Sequence, residues 1–380
     1  MKNLLAIEIK DNRTIVTLTK FINGKHNLMY HKSYEFTPLS KTLAYDVSIV
    51  KKIKDDLNKM ELFDSIDETS LAINTKKVVV QTFKKEYRYD ADLKLEKQKI
   101  VDDLKEKRPD WKILKCEFPY ENSGFTKKIV NSTIESIEAG YLEEIISAFK
   151  FHGIKINKLI PMIDIIKEST KNIAINNGIT FVILVEEKFT QLTTFENGSI
   201  SFSTKWDYGL TNIYDYISKK MDIKKNVSKK IFEYFGSIPP EDVVDDKVIH
   251  TKKHGNETEI FTKKDLSTYI TEKVNELFSN VKKEFDFISK EKNRKIIFSG
   301  EIKSLTGFKK YAMKSFAEKN INKFKSEIIG LNEETEFITL GMLNIIQEKK
   351  VNKKDEINES KLTKPKISVI NKFIRMYNYI

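Results

Sequence analysis

Residues 179–209, ITFVILVEEKFTQLTTFENGSISFSTKWDYG, constrain this chain more than any other stretch. An unbroken apolar run over 179–185 gives way to Glu186, Glu187 and Lys188. A second β-rich run then ends at Glu196, and a third covers 199–204 after Asn197-Gly198. Asn-Gly marks a hairpin because both residues tolerate positive φ, so three strands in a meander are expected. Beyond them Ile213, Tyr216, Ile217 and Met221 fall at helical spacing. The N-terminus repeats the pattern, with strands over 4–9, 14–21 and 27–36, turns at Asp11-Asn12 and Asn23-Gly24, and an amphipathic helix over 46–62. Two meanders, each feeding helices, imply two similarly built lobes facing each other.

The chain has 380 residues, 40% of them apolar, enough to bury a large core and to favour more than one lobe. No apolar run approaches the roughly 18 residues of a spanning helix, and residues 4–7 are too few for a signal-peptide core. A soluble, cytoplasmic protein is expected, and a lone Cys116 suits a reducing compartment. The formal charge of +12 points to an acidic partner, either nucleic acid or an anionic membrane face, or else to a lysine-rich solvated surface. Nucleic acid is not expected, because lysine dominates over arginine and is spread throughout. His250 and His254 flank an apparent turn, so no metal site is assigned to them.

Between the meanders lie a strand over 71–83, a helix over 90–106, strands over 112–118 and 126–132, a helix over 136–151 closed by Gly153, and a strand over 155–160. Residues 79–160 thus read as a βαββαβ-like insertion, followed by a helix over 163–174. After the second meander come a short helix over 227–235, a hairpin over 245–261, and a long helix over 262–287 capped by Thr262. A strand over 295–299 ends at Gly300, Gly307 opens a helix, and 337–346 closes the globular part. Residues 348–365 read as a disordered linker. In 366–380, KISVINKFIRMYNYI, residues Ile367, Ile370, Phe373, Ile374, Tyr377 and Ile380 share one helical face, with Lys372 and Arg375 on the other. Half-burying that face in a bilayer interface is worth roughly 5–8 kcal/mol before ordering costs, and each cation adds about 1 kcal/mol on anionic lipid.

In its order of elements the chain resembles the FtsA family of bacterial cell-division actin homologues. The resemblance is carried most specifically by residues 261–308: the long helix with Ile270, Val274 and Leu277, then Ile296-Ile297-Phe298-Ser299-Gly300 and Leu305-Thr306-Gly307-Phe308. It implies an α/β, actin-like (ribonuclease H-like) two-lobed fold, with subdomain 1A at 1–78 and 162–178, 1C at 79–161, 2A at 179–225 and 293–347, and 2B at 226–292. The linker at 348–365 and an amphipathic membrane-targeting helix at 366–380 complete it. The resemblance further implies self-association into actin-like filaments, attachment to the inner face of the cell membrane, and capture of the acidic C-terminal peptide of the tubulin homologue FtsZ by subdomain 2B. Lys252, Lys253, Lys263 and Lys264 are the candidate contacts there. The pilus protein PilM shares the 1C arrangement, so a PilM-like scaffold is the nearest alternative, and an active ATP-dependent kinase or ATPase of the superfamily is the alternative from another class.

The resemblance also implies ATP with magnesium, held by glycine-rich hairpins that let backbone amides approach phosphate. Where the family has Asp-x-Gly-Thr, this chain has Glu8-Ile9-Lys10-Asp11. Where it has Asp-x-Gly-Gly-Gly-Thr-Thr, this chain has Leu184-Val185-Glu186-Glu187-Lys188-Phe189-Thr190. Two carboxylates beside a triphosphate cost on the order of 1–4 kcal/mol per close pair. The candidate cleft residues are Glu8, Lys10, Asp11, Lys188, Thr190, Gly209, Gly300 and Glu301. With the phosphate-loop glycines lost, a degenerate site without hydrolysis is expected, and no catalytic residue is assigned.

Overall fold

The computed structural model describes residues 1–36, 45–88, 93–123, 127–175, 178–196, 198–254, 257–287, 293–318, 321–323, 328, 331 and 337–347. Strands β1 (Lys2–Lys10), β2 (Arg13–Ile22) and β3 (Lys25–Glu35) form the first meander. Helix α1 (Ser48–Lys59) turns Ile49, Val50, Ile53 and Leu57 inward at three- and four-residue intervals. Strand β4 (Glu68–Asn74) then pairs parallel with β1. From there the chain leaves the sheet. Strand β5 (Val78–Arg88), helix α2 (Leu93–Lys107), and strands β6 (Trp111–Ser123) and β7 (Lys127–Glu138) make a separate antiparallel sheet ordered β5-β7-β6. Helix α3 (Ala139–Phe151), the short strand β8 (Lys158–Leu159) and helix α4 (Met162–Thr170) return it to the first lobe.

The second half is built the same way. Strands β9 (Ile179–Val185), β10 (Thr190–Glu196) and β11 (Ser199–Trp206) lead into helices α5 (Leu210–Met221) and α6 (Lys225–Phe235). A hairpin of β12 (Val248–His254) and β13 (Glu257–Thr262) precedes helix α7 (Lys263–Phe287). Strand β14 (Arg294–Ser299), helix α8 (Phe308–Phe316) and strand β15 (Ile321–Lys323) follow. The two main sheets run β3-β2-β1-β4-β8 and β11-β10-β9-β14-β15. In each, an antiparallel meander is extended by two parallel strands. The repeat expected from the two meanders therefore reaches down to strand order.

A last helix, α9 (337–347), crosses from the second lobe back to the first. Its Phe337, Met342, Leu343 and Ile346 join the core formed by Leu5, Ile7, Ile53, Leu142, Ile163 and Ile166. Gly341 lies against Ile165 and Ser169 of α4, where any side chain would collide, and the Ser169 hydroxyl donates to the Phe337 carbonyl at 2.6 Å. The second core lies on the far face of the second sheet, around Phe181, Tyr214, Leu277, Phe278 and Phe298. At the start of α7, Thr262 and Asp265 bond each other's backbone amides at 2.8 and 3.3 Å, a capping box that satisfies the first turn.

Two expected boundaries change. The single strand expected over 71–83 is two strands, β4 and β5, reversing at 75–77 without glycine or proline. The βαββαβ order of the insertion is kept, but its last strand, β8, pairs with β4 in the first sheet, leaving an inserted sheet of three strands. One face of that sheet is buried against the lobes. On it, Glu135 of β7 accepts hydrogen bonds from the amides of Met162 and Ile163, both at 2.8 Å, and so caps α4.

Burial pushes the Glu135 carboxyl up to about 7, against the pull of the two amides. The native state therefore holds this proton more tightly than the unfolded chain, and Glu135's contribution to stability falls as pH rises from about 4.5 to 7. Glu135→Gln should flatten that part of the pH dependence, read as the wild-type minus variant difference in urea midpoint. Glu135→Ala should cost about 2–4 kcal/mol by orphaning two buried amides.

Candidate functional site in the cleft between the lobes

The repeat sets two hairpin tips opposite each other, Asp11-Asn12 between β1 and β2, and Glu187-Lys188 between β9 and β10. Lys10 is the last residue of β1, and Glu186 follows the last residue of β9. The two side chains meet across the cleft: Lys10 Nζ donates to both oxygens of Glu186, at 3.0 and 2.8 Å. Asn74, at the end of β4, donates its amide to Glu186 Oε1 at 3.1 Å and to Glu8 Oε1 at 2.8 Å. Glu8 Oε1 lies 3.7 Å from Lys10 Nζ. All four residues are buried, between 1% and 7% exposed.

Burial raises the Glu8 pKa; Lys10 opposes the rise and Glu186 adds to it. Burial also works against the Lys10 charge, but Glu186 and Glu8 outweigh it and hold the ammonium protonated, its pKa raised. Asp11, like Glu8, is raised by burial, opposed by the Lys188 charge on the facing tip and by the Lys76 amide.

A second set of ties lies beside this cluster. Lys205 of β11 donates to the carbonyls of Thr75 at 2.5 Å and Val78 at 2.9 Å, and so holds the β4–β5 reversal of the first lobe. It sits 3.6 Å from the centre of the Phe189 ring, and burial lowers its pKa to about 8. Thr82 of β5 bonds both the amide and the carbonyl of Ser203, at 2.8 and 3.1 Å.

The residues of this cleft do not fit a nucleotide with magnesium. The second hairpin carries side chains where amides would have to approach phosphate, and its carbonyls are tied to its own lobe: Leu210 and Thr211, at the start of α5, donate to the carbonyls of Glu186 and Glu187 at 3.0 and 2.7 Å. Gly209 permits this close approach, since a Cβ there would collide with the same two carbonyls. Thr190 donates to Tyr208 O at 2.6 Å, a bond internal to the second lobe. Gly300, at positive φ, backs onto the Val185 carbonyl. Lys10 neutralises a carboxylate of its own chain instead of a phosphate. Among the described residues no cluster of His, Cys, Asp and Glu is arranged for a metal ion.

Of the cleft residues read from the sequence, Glu8, Lys10, Asp11 and Lys188 come together, whereas Thr190, Gly209 and Gly300 shape the backbone around them. The Glu301 side chain lies outside the described residues. Asn74 and Lys205 escaped the sequence reading: Asn74 fell inside what looked like one continuous strand, and a lysine on an alternating strand reads as solvated. On subdomain 2B, Lys252 is paired with Asp222 at 2.7 Å, while Lys263 and Lys264 open α7. The Lys253 side chain, the linker at 348–365 and the apolar set Ile367, Ile370, Phe373, Ile374, Tyr377 and Ile380 lie outside the described residues.

Two lobes with the same strand order, a crossing helix pair at their base and facing hairpins are a recognisable arrangement. A component of a PilM–PilN type IV pilus biogenesis complex superposes with a TM-score of 0.62 at 11% identity, over 90% of this chain and 98% of that one. MreB5 of Spiroplasma citri bound to ADP gives 0.56 at 10% identity, over 94% and 99%. The ethanolamine utilization protein EutJ from Carboxydothermus hydrogenoformans gives 0.51 at 11%, over 90% and 89%. The chain has an actin-like fold. No family model and no curated protein matches it by sequence, so the likeness is one of fold.

Two outcomes are expected. Lys10→Met or Glu186→Leu alone should cost about 3–5 kcal/mol in urea unfolding by stranding a buried charge, and the double variant much less. Calorimetric titration with Mg-ATP should show no binding in the micromolar range; binding that tight would overturn the degenerate-site reading.

Proposed function

We propose that this chain is a non-hydrolysing, FtsA-like adaptor. In this reading the lobes self-associate as actin-like protomers, residues 366–380 lie on the cytoplasmic leaflet of the cell membrane, and subdomain 2B holds the acidic C-terminal peptide of FtsZ. The observation that carries the scaffold part is the Lys10–Glu186 pair, which puts the chain's own charges where an ATPase would place phosphate. The membrane part rests on the amphipathic pattern of 366–380 with Lys364, Lys366, Lys372 and Arg375 around it. Attachment of one protomer through so short a helix is weak and reversible, and an array makes it firm through avidity. The FtsZ part rests on the resemblance and on Lys263 and Lys264 at the entry to α7.

A PilM-like scaffold of a membrane-associated assembly is the second reading, favoured by the superposition on the PilM–PilN component. An ATP-dependent kinase or ATPase is disfavoured by Glu186, Glu187 and Lys188 standing where such an enzyme would need phosphate-loop glycines, and by the Lys10–Glu186 pair.

Deleting 366–380 should abolish co-sedimentation with vesicles rich in anionic lipid while leaving the thermal midpoint unchanged. Immobilised FtsZ C-terminal peptide should retain the wild-type chain and release it on Lys263→Glu/Lys264→Glu. Retention of neither variant nor wild type would favour the PilM-like reading.

A further inference from the structure

The inserted sheet has a second face, and the fold leaves part of it uncovered. Alternation along β5 sends Val78, Val80 and Thr82 toward the lobes and Val79, Gln81 and Phe83 the other way. Register places Ile134 and Ser136 of β7 on that outer face, and Ile113 of β6 opposite Ser136. Helix α2 packs over β6 and buries Ile100, while Phe83 of β5 stays exposed. The result is a groove of about 220 Å³ with a floor of Val79, Phe83, Ile113, Ile134 and Trp111, walled on one side by the last turn of α2. Phe83 is 40% exposed in it.

The mouth of the groove carries one sign of charge. Lys105, Lys107 and Arg108 line it, whereas the acidic residues of the same helix, Asp102, Asp103 and Glu106, do not. All three cations are exposed. Among the described residues none is in an ion pair, and Arg108 instead stacks over the Trp111 ring, 5.1 Å from its centre. An apolar floor bounded by unpaired cations complements a ligand with an apolar anchor flanked by carboxylates. The volume is below the roughly 300–1,000 Å³ of a drug- or cofactor-sized site, but it admits one large side chain. The floor is concave and mostly aliphatic, with the cations gathered on one helical turn. A flat aromatic platform with a basic track, as single-stranded nucleic acid requires, is a different arrangement.

We propose that this groove is a docking site for an acidic peptide segment of a partner protein, anchored by one aromatic or long aliphatic side chain. It is separate from the FtsZ-peptide surface assigned to subdomain 2B, and it stands or falls independently of that reading.

The chain contains two tryptophans, so Trp206→Phe in the full-length protein leaves Trp111 as the reporter. The probe is a short synthetic peptide of Asp and Glu around a single Phe. It should shift Trp111 emission saturably, with affinity weakened about tenfold or more by Lys105→Glu/Lys107→Glu/Arg108→Glu, by Gln81→Glu, and by Ser for Phe in the peptide. Lys263→Glu/Lys264→Glu should leave the titration unchanged. The proposal is overturned if emission stays constant up to about 1 mM peptide, if the groove variants bind as the parent does, or if the 2B variant alone removes binding. Tighter binding of an oligothymidine than of the peptide would also overturn it, by making the groove a nucleic-acid site.

Discussion

The ion pair between Lys10 and Glu186 governs how the two halves of this molecule relate to each other. Each half has its own sheet, and the actin-like arrangement leaves a cleft at the point where both hairpins end. In that position a charge needs a partner, because burial of an isolated ion costs several kcal/mol. Here the partner comes from the opposite lobe. Asn74 adds a neutral donor to Glu8 and Glu186 together. Separating the lobes would expose hydrogen-bonded, mutually neutralised groups that have already lost their hydration. The pair is accordingly a poor net stabiliser compared with apolar packing, but a strong selector of one lobe arrangement over others.

The same logic accounts for the substitutions in the two hairpins. Glycines in a phosphate loop exist so that backbone amides can reach a ligand. Here side chains stand at the hairpin tips, and the carbonyls of Glu186 and Glu187 accept from the amides at the start of α5. Glu187 also lies within 3.9 Å of Lys229 on α6, so the tip of the second hairpin is tied to the second lobe as well as to the first. Lys205 and Thr82 extend the seam to the inserted sheet. The seam is thus a set of contacts that joins both hairpins to elements of the other lobe and of the inserted sheet.

Much of the fold was legible in the sequence. The apolar run at 179–185, the Asn-Gly turn and the matching N-terminal meander led directly to a duplicated architecture. Periodicity also located α1, α3, α5 and α7 to within a few residues. What was not legible depended on contacts between distant segments. The reversal at 75–77 lacks turn residues because Lys205, more than a hundred positions later, supplies its hydrogen bonds. Strand β8 looked like part of the insertion because nothing local in two residues says which sheet they join. In the cleft, the family resemblance implied glycine where this chain has Glu186, and the sequence put Lys10 in the other hairpin. It could not show that the two residues answer each other, since that follows only from the near two-fold relation of the sheets.

In the core beneath the ion pair, Gly341 lets α9 lie directly against α4. A body fastened at two places behaves as a beam and not as a clamshell: bending at one fastening strains the other. Opening the cleft would therefore have to break the Lys10–Glu186 pair and shear α9 against α4 in one movement, which makes the two lobes a single mechanical unit.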